Sequence, residues 1–163
     1  MASEPTSEDD RSGLLSLLGA VVVVNAVGAA PAFAFTPDTP WFRSLERPWF
    51  YPPEFLFAVV WTLLFTLIAV GAWLVWRSTS PYRSRALALF VVQMLLNVAW
   101  TPAFFGLEAP LLALGVVLAL WIAVVATIGA FRRVDGRAAL LLVPYLAWVS
   151  FAAVLNYELW RLN

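Results

Sequence analysis

The chain has 163 residues, of which 63% are hydrophobic and only 12% charged, against roughly 45–50% and 25% in soluble domains. All ten basic residues are arginine, ten acids cancel them, and there is no lysine, histidine or cysteine. A disulfide framework, a thiol nucleophile, a histidine base, a histidine-ligated haem and a zinc finger are excluded, and zero net charge gives no electrostatic footprint for nucleic acid.

Residues 1–12 carry Glu4, Glu8, Asp9 and Asp10 and read as a disordered acidic tail. An apolar run follows at about 13–35. It ends in Ala32-Phe33-Ala34, which would suit a signal-peptide cleavage site, but the acidic start opposes that reading and favours a first membrane span. Residues 36–53 form a connection containing Pro40-Trp41-Phe42-Arg43-Ser44-Leu45-Glu46-Arg47-Pro48-Trp49-Phe50-Tyr51-Pro52-Pro53. Proline fixes φ and removes donors, so this segment is stiff and its rings must pack on something apolar. Two readings stay open: an interfacial aromatic belt with snorkelling arginines, or a lid over a helix bundle. The Pro-Pro step directly into a helix favours the lid.

The remaining charges leave uncharged runs at 55–76, 86–107, 109–131 and 138–157. A hydrocarbon core ~30 Å thick takes ~20 helical residues, so each run fits one crossing. Lipid offers the backbone no hydrogen bonds, which makes these runs helices. The expected fold is an all-α, integral-membrane five-helix bundle in one domain, 13–163, with helices at about 13–35, 54–76, 86–107, 109–131 and 138–160. Arg11, Arg77, Arg83, Arg85, Arg132, Arg133 and Arg137 fall on one side, and Arg43, Arg47 and Arg161 on the other. The positive-inside rule then puts the N-terminus in the cytoplasm and the C-terminus outside. Gly115, Ala119, Ala123, Ala126 and Ala130 in the fourth span are small residues at close helical spacing. They serve either packing within the chain or a homodimer seam.

No carboxylate pair, phosphate loop, metal cluster or catalytic triad lies within the spans, so conventional hydrolytic or redox catalysis has no groups to use. Glu54 and Glu158 stand at the span ends. The intramembrane polar side chains are Asn25, Thr62, Thr66, Gln93, Asn97, Thr101, Thr127, Ser150 and Asn156. An amide in hydrocarbon must find a partner, so these face protein or a cavity. Gln93, Asn97 and Thr101 recur on one face of the third span beside Trp100. Tyr145, Trp148, Ala152 and Leu155 do so on the fifth. Singly they read as interhelical glue; together they would line a slot for a flat, mostly apolar ligand with a few polar edges.

Three motifs resemble the TspO/MBR family of tryptophan-rich sensory and translocator proteins. They are Trp41-Phe42-x-x-Leu45-x-Arg47-Pro48-x-Phe50-x-Pro52-Pro53 running into Val60-Trp61-Thr62-Leu63-Leu64-Phe65; Gln93-x-x-x-Asn97-x-x-Trp100-x-x-x-Phe104-Phe105; and Pro144-Tyr145-x-x-Trp148-x-x-Phe151-Ala152-x-x-Leu155-Asn156-Tyr157 to Trp160-Arg161-x-Asn163. The resemblance implies a five-helix protein, often dimeric, of a prokaryotic cell membrane. It also implies a pocket for porphyrins, and in some members sterols, closed by the first loop. A haem-type tetrapyrrole is the implied ligand, with no covalently required cofactor.

By the same resemblance Trp61 and Trp148 are the two pocket tryptophans, and Phe42, Asn97, Thr101, Tyr145, Ala152 and Leu155 fall at positions similar to ligand contacts; Trp41, Trp100 and Phe151 complete the expected binding site. Leu155, Tyr157 and Arg161 resemble the family's sterol-recognition pattern. Phe50 stands where the family usually has Trp, and Glu54 and Ala58 where it often has Gly. The expected function is a membrane-embedded binding protein, sensor or transporter, for porphyrins and similar flat amphiphiles. The alternatives are light-dependent porphyrin breakdown through Trp61 and Trp148, and a helix-interaction protein with no ligand.

Overall fold

The structure, a computed structural model, describes residues 7–36 and 38–163, with side chains from Arg11 onward. The helices are α1 (Ser7–Ala34), α2 (Pro40–Ser44), α3 (Glu54–Arg77), α4 (Arg83–Thr101), a π-helical turn (Pro102–Gly106), α5 (Pro110–Arg132), α6 (Gly136–Leu141) and α7 (Val143–Leu162). Five segments are long and apolar enough to cross a membrane: Arg11–Ala34, Glu54–Arg77, Arg83–Gly106, Pro110–Arg132 and Gly136–Leu162. That is the expected five-span, all-α architecture, and no strand occurs among the described residues.

The segment bounds differ from the sequence expectation in three places. α1 starts at Ser7, inside the stretch read as a tail; residues 1–6 lie outside the described residues. The connection 36–53 is not irregular throughout, since Thr39 and Pro40 start the short helix α2. The third span ends in a π turn because Pro102 has no N–H for the α-helical ladder. The chain widens instead, with Leu107 N donating to Pro102 O at 2.9 Å and Ala109 N to Ala103 O at 3.3 Å. Glu108, at φ 50°, then turns the backbone left-handed before Pro110 opens α5.

α1 packs on α3 and α4, α4 on α5, and α5 on α7, while α6 bridges α5 and α3. The helices thus form a closed ring with α1 at its lipid-facing edge. Gly28 lets α1 approach: a Cβ there would lie 2.3 Å from the Phe65 ring. Asn25 Nδ2 donates to Thr66 Oγ1 at 3.3 Å and Trp73 Nε1 to Ser16 Oγ at 3.0 Å, tying the same two helices together.

The core has three levels along the bundle. Ala72, Val75, Ala86, Phe131, Ala138 and Leu142 fill the arginine-rich end. Leu64, Phe65, Ile68, Val117, Leu120, Tyr145 and Val149 fill the middle. Phe42, Ala103, Phe104, Ala113, Leu155 and Leu159 fill the opposite end, where α2 caps the ring.

Candidate ligand-binding site

The lid is built from its own sequence. Thr39 Oγ1 accepts from Phe42 N at 3.1 Å and Pro40 occupies the first turn, so a short helix of five residues starts here. Its register drives Phe42 inward to 4% exposure. There the Phe42 ring meets Phe105 at 5.1 Å and Phe104 at 6.2 Å, and Trp41 meets Phe104 edge-on at 5.6 Å.

Two further attachments hold the segment. Arg47 places its guanidinium 5.0 Å from the Phe42 ring and 4.7 Å from the Tyr51 ring while bonding Glu54 at 3.0 Å. Burial pushes the Tyr51 phenol pKa above its ordinary value, opposed by the Arg47 charge and reinforced by Glu54. At the other side Asn163 clasps the backbone of Glu46 from 117 residues away. Glu46 N donates to Asn163 Oδ1 at 2.9 Å and Asn163 Nδ2 donates to Glu46 O at 3.2 Å.

Beneath the lid, α3 and α7 face each other in two ring levels. Phe57 and Trp61 share a face of α3, and Tyr145 and Trp148 share a face of α7. In the level nearer the lid, Phe57 meets Trp148 at 5.9 Å and Trp148 meets Phe151 at 5.3 Å. Tyr51 and Phe50 extend this level from the lid, at 5.8 Å from Phe57 and 6.2 Å from Phe151. In the deeper level Trp61 stacks on Phe65 at 5.1 Å and meets Tyr145 edge-on at 6.1 Å. Both indoles therefore point into the bundle and neither is turned out to lipid.

α4 supplies the third wall. Asn97 Nδ2 donates to Tyr145 Oη at 3.0 Å, and Trp100 Nε1 to Asn156 Oδ1 at 2.9 Å. Asn156 Nδ2 in turn donates to Pro110 O at 2.8 Å, which anchors the first turn of α5. Trp100 also stacks on Phe104 at 5.1 Å. Among the described residues, three buried side-chain polar atoms have no protein partner: the indole Nε1 of Trp148 and both amide atoms of Gln93. Burying a polar group unpaired costs about 1–3 kcal/mol, so the Trp148 N–H is a donor in want of an acceptor.

Of the residues expected at the site, Trp61, Asn97, Trp100, Tyr145, Trp148 and Phe151 are joined by these contacts, and Trp41 and Phe42 cover them from α2. Ala152 is half-buried against the middle level of the core and Leu155 is buried among the lid-end rings. Thr101 is half-buried on α4. The sterol-like triplet is not brought to one face. Leu155 turns inward at 5% exposure, Tyr157 is 43% exposed, and Arg161 bonds Glu158 at 2.6 Å in the polar margin. Residues two apart on a helix lie some 200° around it, which separates Leu155 from Tyr157. Sequence reasoning passed over Phe57, Phe65 and Tyr51 as site residues; the four-residue spacing Phe57, Trp61, Phe65 was the available signal.

Comparison with known proteins agrees with this geometry. The TspO/MBR family model matches residues 20–161. The chain is 40% identical over 152 residues to the tryptophan-rich protein TspO of Archaeoglobus fulgidus, covering 92% of this chain and 98% of that one. It is 40% identical over 123 residues to the tryptophan-rich sensory protein of Cereibacter sphaeroides, covering 76% and 77%. To the translocator protein of Homo sapiens it is 38% identical over 126 residues, covering 76% and 75%. A match of this extent, on a five-span bundle with these ring levels, identifies the chain as a member of the TspO/MBR family.

Proposed function

We propose that the protein is a membrane-embedded sensor or transporter whose ligand is a porphyrin or a similarly flat, amphiphilic molecule, received between α3, α4 and α7 under the lid. The observation that carries this reading is the pair of ring levels Phe57–Trp148 and Trp61–Tyr145, with the unpartnered Trp148 N–H beside them. Aromatic faces suit a planar macrocycle, and the buried donor suits a polar edge such as a carboxylate. The named relatives, a tryptophan-rich sensory protein and a translocator protein, support a sensing or translocating role.

Protoporphyrin IX titrated against the purified protein quenches indole fluorescence in this reading. The double variant Trp61→Ala, Trp148→Ala loses about 5- to 150-fold in affinity, equivalent to about 1–3 kcal/mol. An unchanged affinity in that variant overturns it.

Two expectations about setting belong to the same proposal. The arginine-rich end faces the cytoplasm: Arg77, Arg83, Arg132 and Arg133 bound the spans there, and α1 begins there too, since a Cβ at Gly13 would lie 3.0 Å from Arg77 Nη1. The outer face of α5 is the surface offered to a second copy. Gly115 and Ala119 are exposed, and nothing lies within 4 Å of a Cβ at Gly115, so packing within the chain does not use them.

A further inference from the structure

An open groove of about 410 Å³ lies between the lid and the end of α7, lined by Glu46, Arg47, Pro48, Trp49, Phe50, Glu158, Arg161 and Leu162. It shares Phe50 with the ring level nearer the lid, and its charged lining plays no part in the reading above. Three features give it a chemistry. Its lining carries two arginines and two glutamates, and Glu54 pairs with Arg47 just outside it. Its donors and acceptors are only partly used. Arg161 spends Nε and one Nη2 bond on Glu158, at 3.1 and 2.6 Å, leaving Nη1 unpaired. Arg47 gives only Nη1 to Glu54, and the Glu46 carboxylate has no partner among the described residues. Finally, Trp49 is 95% exposed, its one ring contact being an edge-on approach to Phe50 at 5.6 Å.

The groove's position selects the molecules that reach it. Two of the spans end or start beside it, at Glu54 and Leu162, so it lies at the level where hydrocarbon gives way to headgroups. Exposed aromatics Phe55, Tyr157 and Trp160 occupy the same end, as at a membrane interface. With Arg47 paired to Glu54 and Arg161 to Glu158, the Glu46 carboxylate is the unbalanced charge, which disfavours an anionic headgroup. A headgroup carrying both a phosphate and an ammonium answers both kinds of group. An exposed indole face is also a good partner for a quaternary or primary ammonium.

We propose that this groove seats the headgroup of a zwitterionic phospholipid, its phosphate against Arg47 and Arg161 and its ammonium against Glu46 and the face of Trp49. Leu162, Phe50 and Pro48 meet the apolar part of the lipid, and this makes a bilayer lipid rather than a free phospho-amine the occupant. Occupancy would brace the lid from outside, since Glu46 and Trp49 belong to it.

Native mass spectrometry of the full chain in detergent, with phosphatidylcholine, phosphatidylethanolamine and phosphatidylglycerol of identical acyl chains, tests the assignment. The wild type retains either zwitterionic lipid about tenfold over phosphatidylglycerol. Glu46→Gln removes the carboxylate that meets the ammonium and collapses that preference. Trp49→Ala weakens phosphatidylcholine about fivefold. Glu46 and Trp49 are both exposed side chains, and helical content by circular dichroism confirms that each variant is folded. Phosphatidylglycerol bound as well as phosphatidylcholine by the wild type, or a preference unmoved by Glu46→Gln, overturns the proposal. So does displacement of the lipid by equimolar soluble phosphocholine, which would make the free phospho-amine the occupant. Protoporphyrin titration of the same variants separates this site from the one under the lid.

Discussion

Asn97 and Tyr145 form a hydrogen bond that crosses from α4 to α7 at the centre of the bundle, with Tyr145 wholly buried. Removing only the hydroxyl strands the amide. Tyr145→Phe is therefore expected to lower stability by about 1–2 kcal/mol, measured as the midpoint of unfolding in mixed detergent. Adding Asn97→Leu should recover part of the loss, because an apolar pair has nothing left unpaired.

At the arginine-rich end Asp135 caps α6, accepting from Arg137 N at 2.8 Å and pairing with its guanidinium at 2.9 Å. Those bonds, the side-chain one foremost, hold its pKa below the ordinary carboxylate value. A lowered folded-state pKa means that the stabilisation is complete above the unfolded value and disappears as pH falls through the folded one. Melting curves from neutral to strongly acidic pH should show the wild type converging on Asp135→Asn, with the variant lacking that slope. Polar residues inside the spans were legible in the sequence as groups needing partners. Which partner each takes was not: spacing puts Gln93, Asn97 and Thr101 on one face, yet only Asn97 meets Tyr145, because that pairing depends on how α4 and α7 are set against each other.

At the scale of elements, the lid depends on a clasp between distant parts of the chain. Asn163 holds Glu46 by two backbone bonds and also donates to Leu159 O at 2.9 Å, which fixes its amide on α7. Asn163→Ala removes both clasping bonds but leaves Phe42 packed on Phe104 and Phe105. Ligand on- and off-rates under stopped flow should each rise, by about 3- to 30-fold for one to two lost bonds, with the equilibrium affinity much less changed. Equal rates in variant and wild type would show that the ring contacts alone hold the lid. The helix count was readable from uncharged run lengths. The π turn was not. Pro102 announces an interruption, but whether a helix kinks, stops or widens is settled by the packing of Ala103 and Phe104 against α2, α5 and α7, which no local pattern contains.

At the scale of the molecule, the ring of spans has two unlike ends, one bounded by arginines and one roofed by aromatics. The chain has no cysteine, so an introduced thiol is unique. In spheroplasts or intact vesicles of known sidedness, Ser44→Cys in α2 should react with a membrane-impermeant maleimide added outside. Ser84→Cys, at the start of α4, should react only after permeabilisation. The reverse pattern would invert the proposed orientation without touching the fold. The expected orientation rests on arginine placement, which acts through the membrane potential and lipid charge rather than through packing. The inward direction of Trp61 and Trp148 needed the assembled bundle, since the helices carrying them are apolar all round and lack a single dominant face.

The Phe65 ring stacks on Trp61, and its tip fills the space that a Cβ at Gly28 would need. Any guest that tilts the indole must push through the phenyl into α1, the span with the least buried apolar window, 6%. The span with the smallest buried share thus rests on the ring that stacks on Trp61, so a displacement of that indole would reach α1.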